Sequence, residues 1–278
     1  MKLLVTLHDV KHIEDLLHDA DGIVVGMHRF GARLTQGFSI LEINDMIQRC
    51  QQLNKEIFLV ANQMMTDELL LEFLTALAAI DTDKLTGIMV SDLGALVQLK
   101  EMNLHHKAVY NPETLITNTY DFNFLGQFDM LGVFAAKEIT IEDLTKIGQE
   151  KALKMFMVGH GHLSMFYSKL KLVKNYLDYL DHPLDLRFRD DLRLIEEHRQ
   201  EDTYPVLEDD AGTHVFRSHV MHAMHQYDRL KNFLDYMVID TLFHDDAYGI
   251  DVLHMYRHQA IDEVDILQAR YQETWDQG

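Results

Sequence analysis

Apolar and polar stretches alternate in a repeating order along the first 160 residues. Each short apolar run is followed by a polar turn and then by a segment whose apolar residues recur every three or four positions. The runs predict strands, and the periodic segments predict amphipathic helices. Seven runs occur, at Leu3–Leu7, Gly22–Met27, Ile57–Ala61, Gly87–Val90, Lys107–Tyr110, Leu131–Phe134 and Met155–Val158.

Helices are predicted between most of these strands. Ser39 with Glu42 three residues later is a capping box, so a helix is expected from there to about Leu53. The other predicted helices are Val10–His18, Asp67–Ile80, a short helix ending at Lys100, and Ile141–Gly148.

The pattern changes after the seventh strand. Leu184–Arg199 is dense in charge, and Tyr204–Phe216 predicts a β-hairpin that turns at Asp210–Gly212. A helix, an eighth strand and a long last helix are predicted at His219–Tyr236, Met237–Phe243 and Val252–Tyr271.

Eight strands with intervening helices predict an α/β fold, a (β/α)8 TIM-like barrel with an inserted β-hairpin and helical segment before the last strand. We expect one domain, with seven βα units in residues 1–180, the insertion in 181–236 and the last strand and helix in 237–278. A doubly wound sheet is the alternative. No G-x-G-x-x-G follows the first strand, which disfavours a dinucleotide-binding unit.

The charge balance restricts the possible partners. The chain has a formal charge of −20, which argues against general affinity for phosphate backbones. One local concentration of cations remains a candidate contact surface, although a solvated face is the simpler interpretation. Its members are Lys169, Lys171, Lys174, Arg187, Arg189, Arg193 and Arg199.

Cys50 is the only cysteine in the 278 residues. No disulfide within the chain and no cysteine-ligated iron–sulfur cluster is therefore expected. A lone thiol fits a reducing cytoplasm, and no apolar run approaches the length of a signal peptide or membrane span. We expect a cytoplasmic protein with no membrane partner.

Polar side chains follow the predicted strands, where a barrel places its working face. Loop residues are often polar in any protein, so part of this pattern needs no function. The excess of histidine and carboxamide groups nevertheless predicts a pocket. Residues at the strand exits are His8, His28, Arg29, Asn62, Asp92, Asn111, Glu138, His160, His162 and His244.

The four histidines His214, His219, His222 and His225 raise the question of a metal site. No H-E-x-x-H motif or other zinc spacing is present, so no metal is predicted. A nucleophile is also hard to identify, because G-x-S-x-G is absent and Cys50 falls on a predicted core helix.

Several segments resemble the U32 family of collagenase-like peptidases, and the resemblance spans nearly the whole chain. They are GIVVGMHRFGAR, VANQ, GIMVSDLGAL, VYNPETLITN, VFAAKEIT, FMVGHGHLSMFYS, YPVLEDDAGTHVFRS and YRHQAID. The resemblance implies a modified TIM barrel. With their closeness in sequence, it makes His160, His162 and Ser168 the catalytic candidates. The strand exits and the basic stretch supply the predicted substrate contacts, at His8, Arg29, Asn62, Asp92, Asn111, Glu138, Lys169 and Lys171.

The chain departs from the family pattern at its diagnostic segment. Phe156 and Gly159 match, but Lys154 stands where a glutamate is usual and His162 stands at the first cysteine position. The second cysteine is missing, and the last strand lacks the usual arginine. The departures count against proteolysis by the family's apparatus and against cluster binding.

The cysteine-free GHLxMFxS pattern resembles the smaller of two paired U32 proteins in Gram-positive bacteria. This implies a subunit that works with a larger U32 partner to make 5-hydroxyuridine at the tRNA wobble position, from a prephenate-derived donor. The alternatives are a peptidase that hydrolyses peptide bonds and a non-catalytic binding subunit.

Overall fold

A computed structural model describes residues 1–182, 184–186, 189–267 and 269, with only the main chain described at 199–201 and 261. Thirteen strands occur in these residues. They are β1 Lys2–Thr6, β2 Gly22–Gly26, β3 Glu56–Ala61, β4 Gly87–Val90, β5 Ala108–Tyr110, β6 Gly132–Phe134, β7 Lys154–Gly161, β8 Ser164–Ser168, β9 Arg193–Glu196, β10 Arg199–Asp209, β11 Gly212–Phe216, β12 Met221–His222 and β13 Tyr236–Ile239.

Nine α-helices have both ends among the described residues, and residues 264–267 are also helical. The nine are α1 Ile13–Asp19, α2 Ile40–Gln52, α3 Asp67–Leu77, α4 Leu93–Glu101, α5 Thr119–Phe124, α6 Ile141–Glu150, α7 Leu172–Tyr179, α8 Tyr227–Leu230 and α9 Asp246–His258. Short 3-10 helices occupy several connections, including Val10–His12 and Met224–Gln226. None of the described helices combines the length and apolar character needed to cross a bilayer.

Eight parallel strands close into a barrel, which confirms the predicted fold. β1 through β7 pair in sequence order, and β13 joins β7 to β1. Val5 pairs with Ile239 on one side and with Ile23 on the other. Because β6 also pairs with β7, the ring has no free edge, and the doubly wound alternative is wrong.

Aromatic rings fill the lower part of the barrel. Phe156 stacks on Tyr236 with ring centroids 4.4 Å apart, and Phe58 meets both rings edge-on. Side chains alternate along each strand between the barrel interior and the helices. On β1, Leu4 packs with the interior aromatic residues, and Leu3 packs against the helices. The interior is therefore packed near the amino ends of the strands, as is usual in (β/α)8 barrels.

The helices begin where the sequence supplies caps. The Ser39 side chain accepts a hydrogen bond from the Glu42 main-chain N–H, and the Glu42 carboxylate accepts one from the Ser39 main-chain N–H, which confirms the capping box. Asp245 caps the last helix, so α9 begins at Asp246 and not at Val252. This helix ends at His258, and part of the predicted stretch to Tyr271 lies outside the described residues.

The part of the chain that connects β7 to β13 forms a second, antiparallel sheet, with the strand order β8–β11–β10–β9. It contains the predicted hairpin, in which Asp209 pairs with Gly212. The sequence did not predict β8 or β9. The predicted helix His219–Tyr236 is wrong over most of its length, because the main chain of β12 pairs with the end of β7 and Tyr236 opens β13.

Candidate active site

Two cavities open at the carboxyl ends of the barrel strands. The first has a volume of about 520 Å³ and lies over the ends of β1, β2 and β13, with His8, His28 and His244 in its wall. The second has a volume of about 280 Å³ and lies over the ends of β5, β6 and β7. Both therefore occupy the face where (β/α)8 enzymes carry their chemistry.

A cluster of opposite charges lines the second cavity. The Glu113 carboxylate accepts from the guanidinium of Arg33 through one oxygen and from Lys137 Nζ at 2.8 Å through the other. All three side chains are largely shielded from solvent. Burial by itself would raise the pKa of Glu113, but the charges of Arg33 and Lys137 outweigh it and hold that pKa below its usual range.

The loop that carries Arg33 is fixed by the second sheet. The Arg33 main-chain N–H donates to Asp209 at 2.9 Å, and the Asp209 carboxylate also lies 3.1 Å from His214 Nε2. Burial opposes ionisation of Asp209, but the His214 contact and hydrogen bonds from main-chain groups lower its pKa. The second sheet thus positions Arg33 at the barrel mouth.

Three residues at the mouth adopt a left-handed backbone without being glycine. They are Arg33 with φ 56°, Glu113 with φ 69° and Phe243 with φ 73°. Arg33 and Glu113 line the second cavity, and Phe243 lines the first. Such conformations cost roughly 1–3 kcal/mol each and persist where surrounding contacts enforce them, which is common at functional sites.

Asp240 lies at the exit of β13, in the wall of the second cavity. Burial raises its pKa to about 6, against the lowering effect of the Leu242 N–H and of Arg33. A carboxyl group with this pKa exchanges a proton near neutral pH, which suits acid–base chemistry.

Aromatic residues form a wall between the two cavities. His162 lines the second cavity and stacks at 5.8 Å on His244, which lines the first. Phe243 meets the His162 ring edge-on at 5.7 Å. Burial lowers the pKa of His162 to about 4 and that of His244 to about 3, so both rings are neutral at pH 7.

The structure brings together only some of the residues predicted from the sequence. Asn111 and His162 line the second cavity, and His8 and Lys171 line the first. His8 Nε2 is 3.1 Å from the Thr241 hydroxyl. His28 and His244, which were also predicted at strand exits, line the first cavity as well.

Three other predicted residues have local structural partners, and a fourth is exposed. Asn62 accepts from the Ala32 N–H at 2.7 Å, and Asp92 caps α4 through the Ala95 N–H. Arg29 pairs with Glu72 on the surface, and Glu138 is exposed. None of the four lines either cavity.

His160 and Ser168, two of the three predicted catalytic candidates, lie in different strands. A β-bulge at Gly159 shifts the alternation of β7, so His160 lies under α9, where its Nε2 is 2.5 Å from the Tyr248 hydroxyl. Ser168 ends β8 in the second sheet and accepts from the Leu170 N–H. Neither side chain lines either cavity.

The predicted basic stretch is largely neutralised among its described members. Lys174 pairs with Asp178 and Arg189 with Asp191, and Lys171 lies 3.7 Å from Asp210. Lys169 donates to the Met64 carbonyl, whereas Arg187 and the side chain of Arg199 lie outside the described residues. The members of the stretch whose side chains are described do not form an open cationic surface.

The four histidines that raised the question of a metal site lie in three different environments. His214 is buried against Asp209 and Tyr167, and His219 lies on the surface near Asp202. His222 and His225 have ring centroids 5.3 Å apart.

Sequence reasoning missed Arg33, Glu113, Lys137 and Asp240. Glu113 lies two positions after the predicted Asn111, and Lys137 lies one position before the predicted Glu138. Asp240 was hidden because the predicted last strand ran to Phe243, whereas β13 ends at Ile239. A wider window at each strand exit would have found three of them, but Arg33 reaches the mouth through a loop.

Comparisons with known proteins agree with this architecture. The chain is 24% identical over 265 residues to tRNA hydroxylation protein P2 of Bacillus subtilis (strain 168), covering 94% of this chain and 85% of the relative. It is 22% identical over 156 residues to the 23S rRNA 5-hydroxycytidine C2501 synthase of Escherichia coli (strain K12), covering 56% of this chain and 23% of that protein.

A solved structure and a family description point to the same family. The fold superposes on the U32 peptidase Mk0906 with a TM-score of 0.53 at 12% identity, over 86% of this chain and 92% of that one. The description of peptidase family U32 matches residues 9–277. With this match over nearly its whole length, the chain belongs to peptidase family U32.

Proposed function

We propose that the chain takes part in RNA hydroxylation, as a subunit that makes 5-hydroxyuridine at the tRNA wobble position with a larger U32 partner. The observation that carries the proposal is the similarity to tRNA hydroxylation protein P2 across 265 residues. The rRNA 5-hydroxycytidine synthase adds a second relative whose name describes hydroxylation of a pyrimidine in RNA.

The second cavity supplies a binding site for a small acidic donor. Arg33 and Lys137 bring two positive charges to the cavity, with Glu113 between them and Asp240, largely ionised at pH 7, in the same wall. A prephenate-derived donor carries carboxylate groups, which arginine and lysine bind through charge-assisted hydrogen bonds. Protonation of Asp240 below about pH 6 removes a nearby negative charge, so binding of the donor is expected to tighten there.

We expect the larger U32 partner to carry out the redox chemistry. Cys50 is the sole cysteine, and its thiol is buried, with burial raising its pKa to about 12. One inaccessible thiol cannot supply the thiolates that an iron–sulfur cluster needs. This chain would then contribute donor or RNA binding, which is compatible with the prediction of a non-catalytic binding subunit.

Helix α7 offers a surface for that partner. Leu172, Tyr176, Tyr179 and Leu180 follow one another at helical spacing on one face, and all four are exposed, with Tyr179 85% accessible. No residue of this helix is buried. An amphipathic helix with its apolar face open to solvent is typical of a protein interface, which favours a protein over RNA at this surface.

A peptidase has weaker support. The family name favours it, but His160 and Ser168 are not assembled at the barrel mouth. Purified protein is expected to leave gelatin and peptides intact under conditions in which a known collagenase cleaves them.

A cytoplasmic location remains a prediction.

The test is removal of the gene from its native host, followed by mass spectrometry of nucleosides from total tRNA. Wobble 5-hydroxyuridine should disappear and return with the wild-type gene. Lys137→Gln should fail to restore it, whereas Lys146→Gln, which removes an exposed lysine, should restore it fully. Unchanged 5-hydroxyuridine after deletion would rule out the proposed function.

A further inference from the structure

Three potential metal ligands meet at the opposite end of the barrel from the cavities. Asp19 is the last residue of α1, and His254 and His258 lie one turn apart near the end of α9. One donor atom from each side chain lies within 4.8 Å of the other two. Among the described residues, no other group of three or more His, Cys, Asp or Glu side chains has donor atoms this close together.

The spacing of the donor atoms matches metal coordination. His254 Nδ1 and an Asp19 carboxylate oxygen are 3.4 Å apart, and the rings of the two histidines have centroids 4.1 Å apart. Ligands at about 2.0–2.1 Å from a tetrahedral ion are separated by about 3.3 Å. Residues four apart share a helix face, so small rotations of the two exposed rings bring both nitrogens to one ion.

The neighbours of Asp19 leave its carboxylate available. The Asp19 main-chain carbonyl accepts from Arg257, whose guanidinium also binds Asp21 at 2.6 Å. His18 Nδ1 lies 3.1 Å from the other carboxylate oxygen of Asp19. A second group at the far oxygen is the usual means by which proteins orient a ligating carboxylate.

We propose that Asp19, His254 and His258 bind a divalent transition-metal ion of the zinc type. Two imidazoles and one carboxylate are ligands that zinc accepts, and solvent would complete a four-coordinate shell. The site uses none of the four histidines for which the sequence raised, and then rejected, a metal.

The position of the site assigns it a structural role. Helices α1 and α9 both end at the amino-terminal face of the barrel, which in (β/α)8 proteins serves stability. The start of α9 supplies Asp246, which accepts from the His8 and Asp9 N–H groups, and Tyr248, which contacts His160. An ion bound between α1 and α9 would therefore fix α9, which follows the last barrel strand, against α1.

Calorimetric titration of the full, untagged chain with Zn²⁺ tests the proposal. We expect saturable binding of one ion and a rise in Tm that EDTA reverses. His254→Ala and His258→Ala should each weaken binding at least tenfold and abolish the rise in Tm. His12→Ala, at a partly exposed histidine that pairs with Asp15, is the control and should bind as the wild type does.

A second readout separates metal binding from the existing contact between Asp19 and His254. Co²⁺ should give a visible absorption band that is lost in both histidine variants and in Asp19→Asn. Binding that persists undiminished in His254→Ala and His258→Ala would place the ion elsewhere and overturn the proposal. A wild-type chain that shows no saturable binding would overturn it as well.

Discussion

Arg33 and Glu113 form an ion pair at the mouth of the barrel, and both hold a left-handed backbone, with φ 56° and 69°. Their separation in sequence is 80 residues, so two different loops adopt an unfavourable conformation to bring the charges together. The surrounding hydrogen bonds enforce it, since Asp209 binds the Arg33 N–H and Asn111 binds the Glu113 N–H. The pair is therefore rigid before any ligand arrives.

Glu113→Gln should destabilise the protein. The substitution leaves the charges of Arg33 and Lys137 together with only a neutral amide between them, which is expected to cost roughly 2–4 kcal/mol in the free energy of unfolding. Urea unfolding at pH 7 measures it. Glu72→Gln removes an exposed partner of Arg29 and should produce no measurable change.

The effect of Glu113 should depend on pH in a defined direction. The pKa of Glu113 is lowered in the folded state, so its contribution is present above the pKa of an unfolded glutamate and is lost as pH falls through the folded pKa. The difference between wild type and Glu113→Gln should thus shrink in acid below about pH 4. A constant difference across this range would contradict the assignment.

Asp240→Asn should stabilise the protein at pH 8. The pKa of Asp240 is raised to about 6 by burial, so its ionisation opposes folding as pH rises through that value. A shift of about two pKa units corresponds to roughly 2–3 kcal/mol, which the neutral amide avoids. The advantage should vanish below about pH 4, where the carboxyl is protonated in both states.

Three buried histidines should make the protein sensitive to mild acid. Burial lowers the pKa of His160 and His244 to about 3 and that of His162 to about 4. Below about pH 6.5 the unfolded chain binds protons that the folded chain does not, so stability should fall by up to about 1.4 kcal/mol per pH unit for each histidine. Unfolding in urea at pH 7.5, 6.5 and 5.5 gives the slope.

His160 and His162 should have different roles despite being two residues apart. His160→Ala removes the partner of the Tyr248 hydroxyl in a closed interior and should cost about 2–4 kcal/mol. His162→Asn keeps a donor toward the Arg217 carbonyl and should leave stability within about 1 kcal/mol while lowering tRNA hydroxylation. Nucleoside analysis of complemented cells, together with urea unfolding, separates the two effects.

Tyr179→Ser should weaken partner binding without affecting the fold. This side chain is 85% accessible, and its helix buries no residue, so the variant should unfold as the wild type does. Co-purification with the larger U32 protein of the same host should fall at least tenfold. Tyr120→Ser, at an equally exposed tyrosine on α5, is the control and should retain the partner.

Local sequence patterns predicted the regular part of the fold well. The four-residue strand Gly87–Val90 was predicted with its exact ends, and the Ser39 cap and the turn of the hairpin are present. These features depend on neighbouring residues, so they can be found without knowledge of the fold. The helix predicted at His219–Tyr236 was wrong for the converse reason. Its β12 segment is a strand because it pairs with β7, which is far away in the sequence.

The sequence by itself determined the eight parallel strands, the family and the presence of polar groups at the barrel mouth. Only the tertiary structure decided which of those groups face a cavity. Gly159 has room for no side chain, since a Cβ would lie 2.2 Å from Met237, and the bulge there directs His160 to α9 while His162 reaches the mouth. Arg33 joins Glu113 through loops that no local period describes, because their geometry is set by contacts between distant segments.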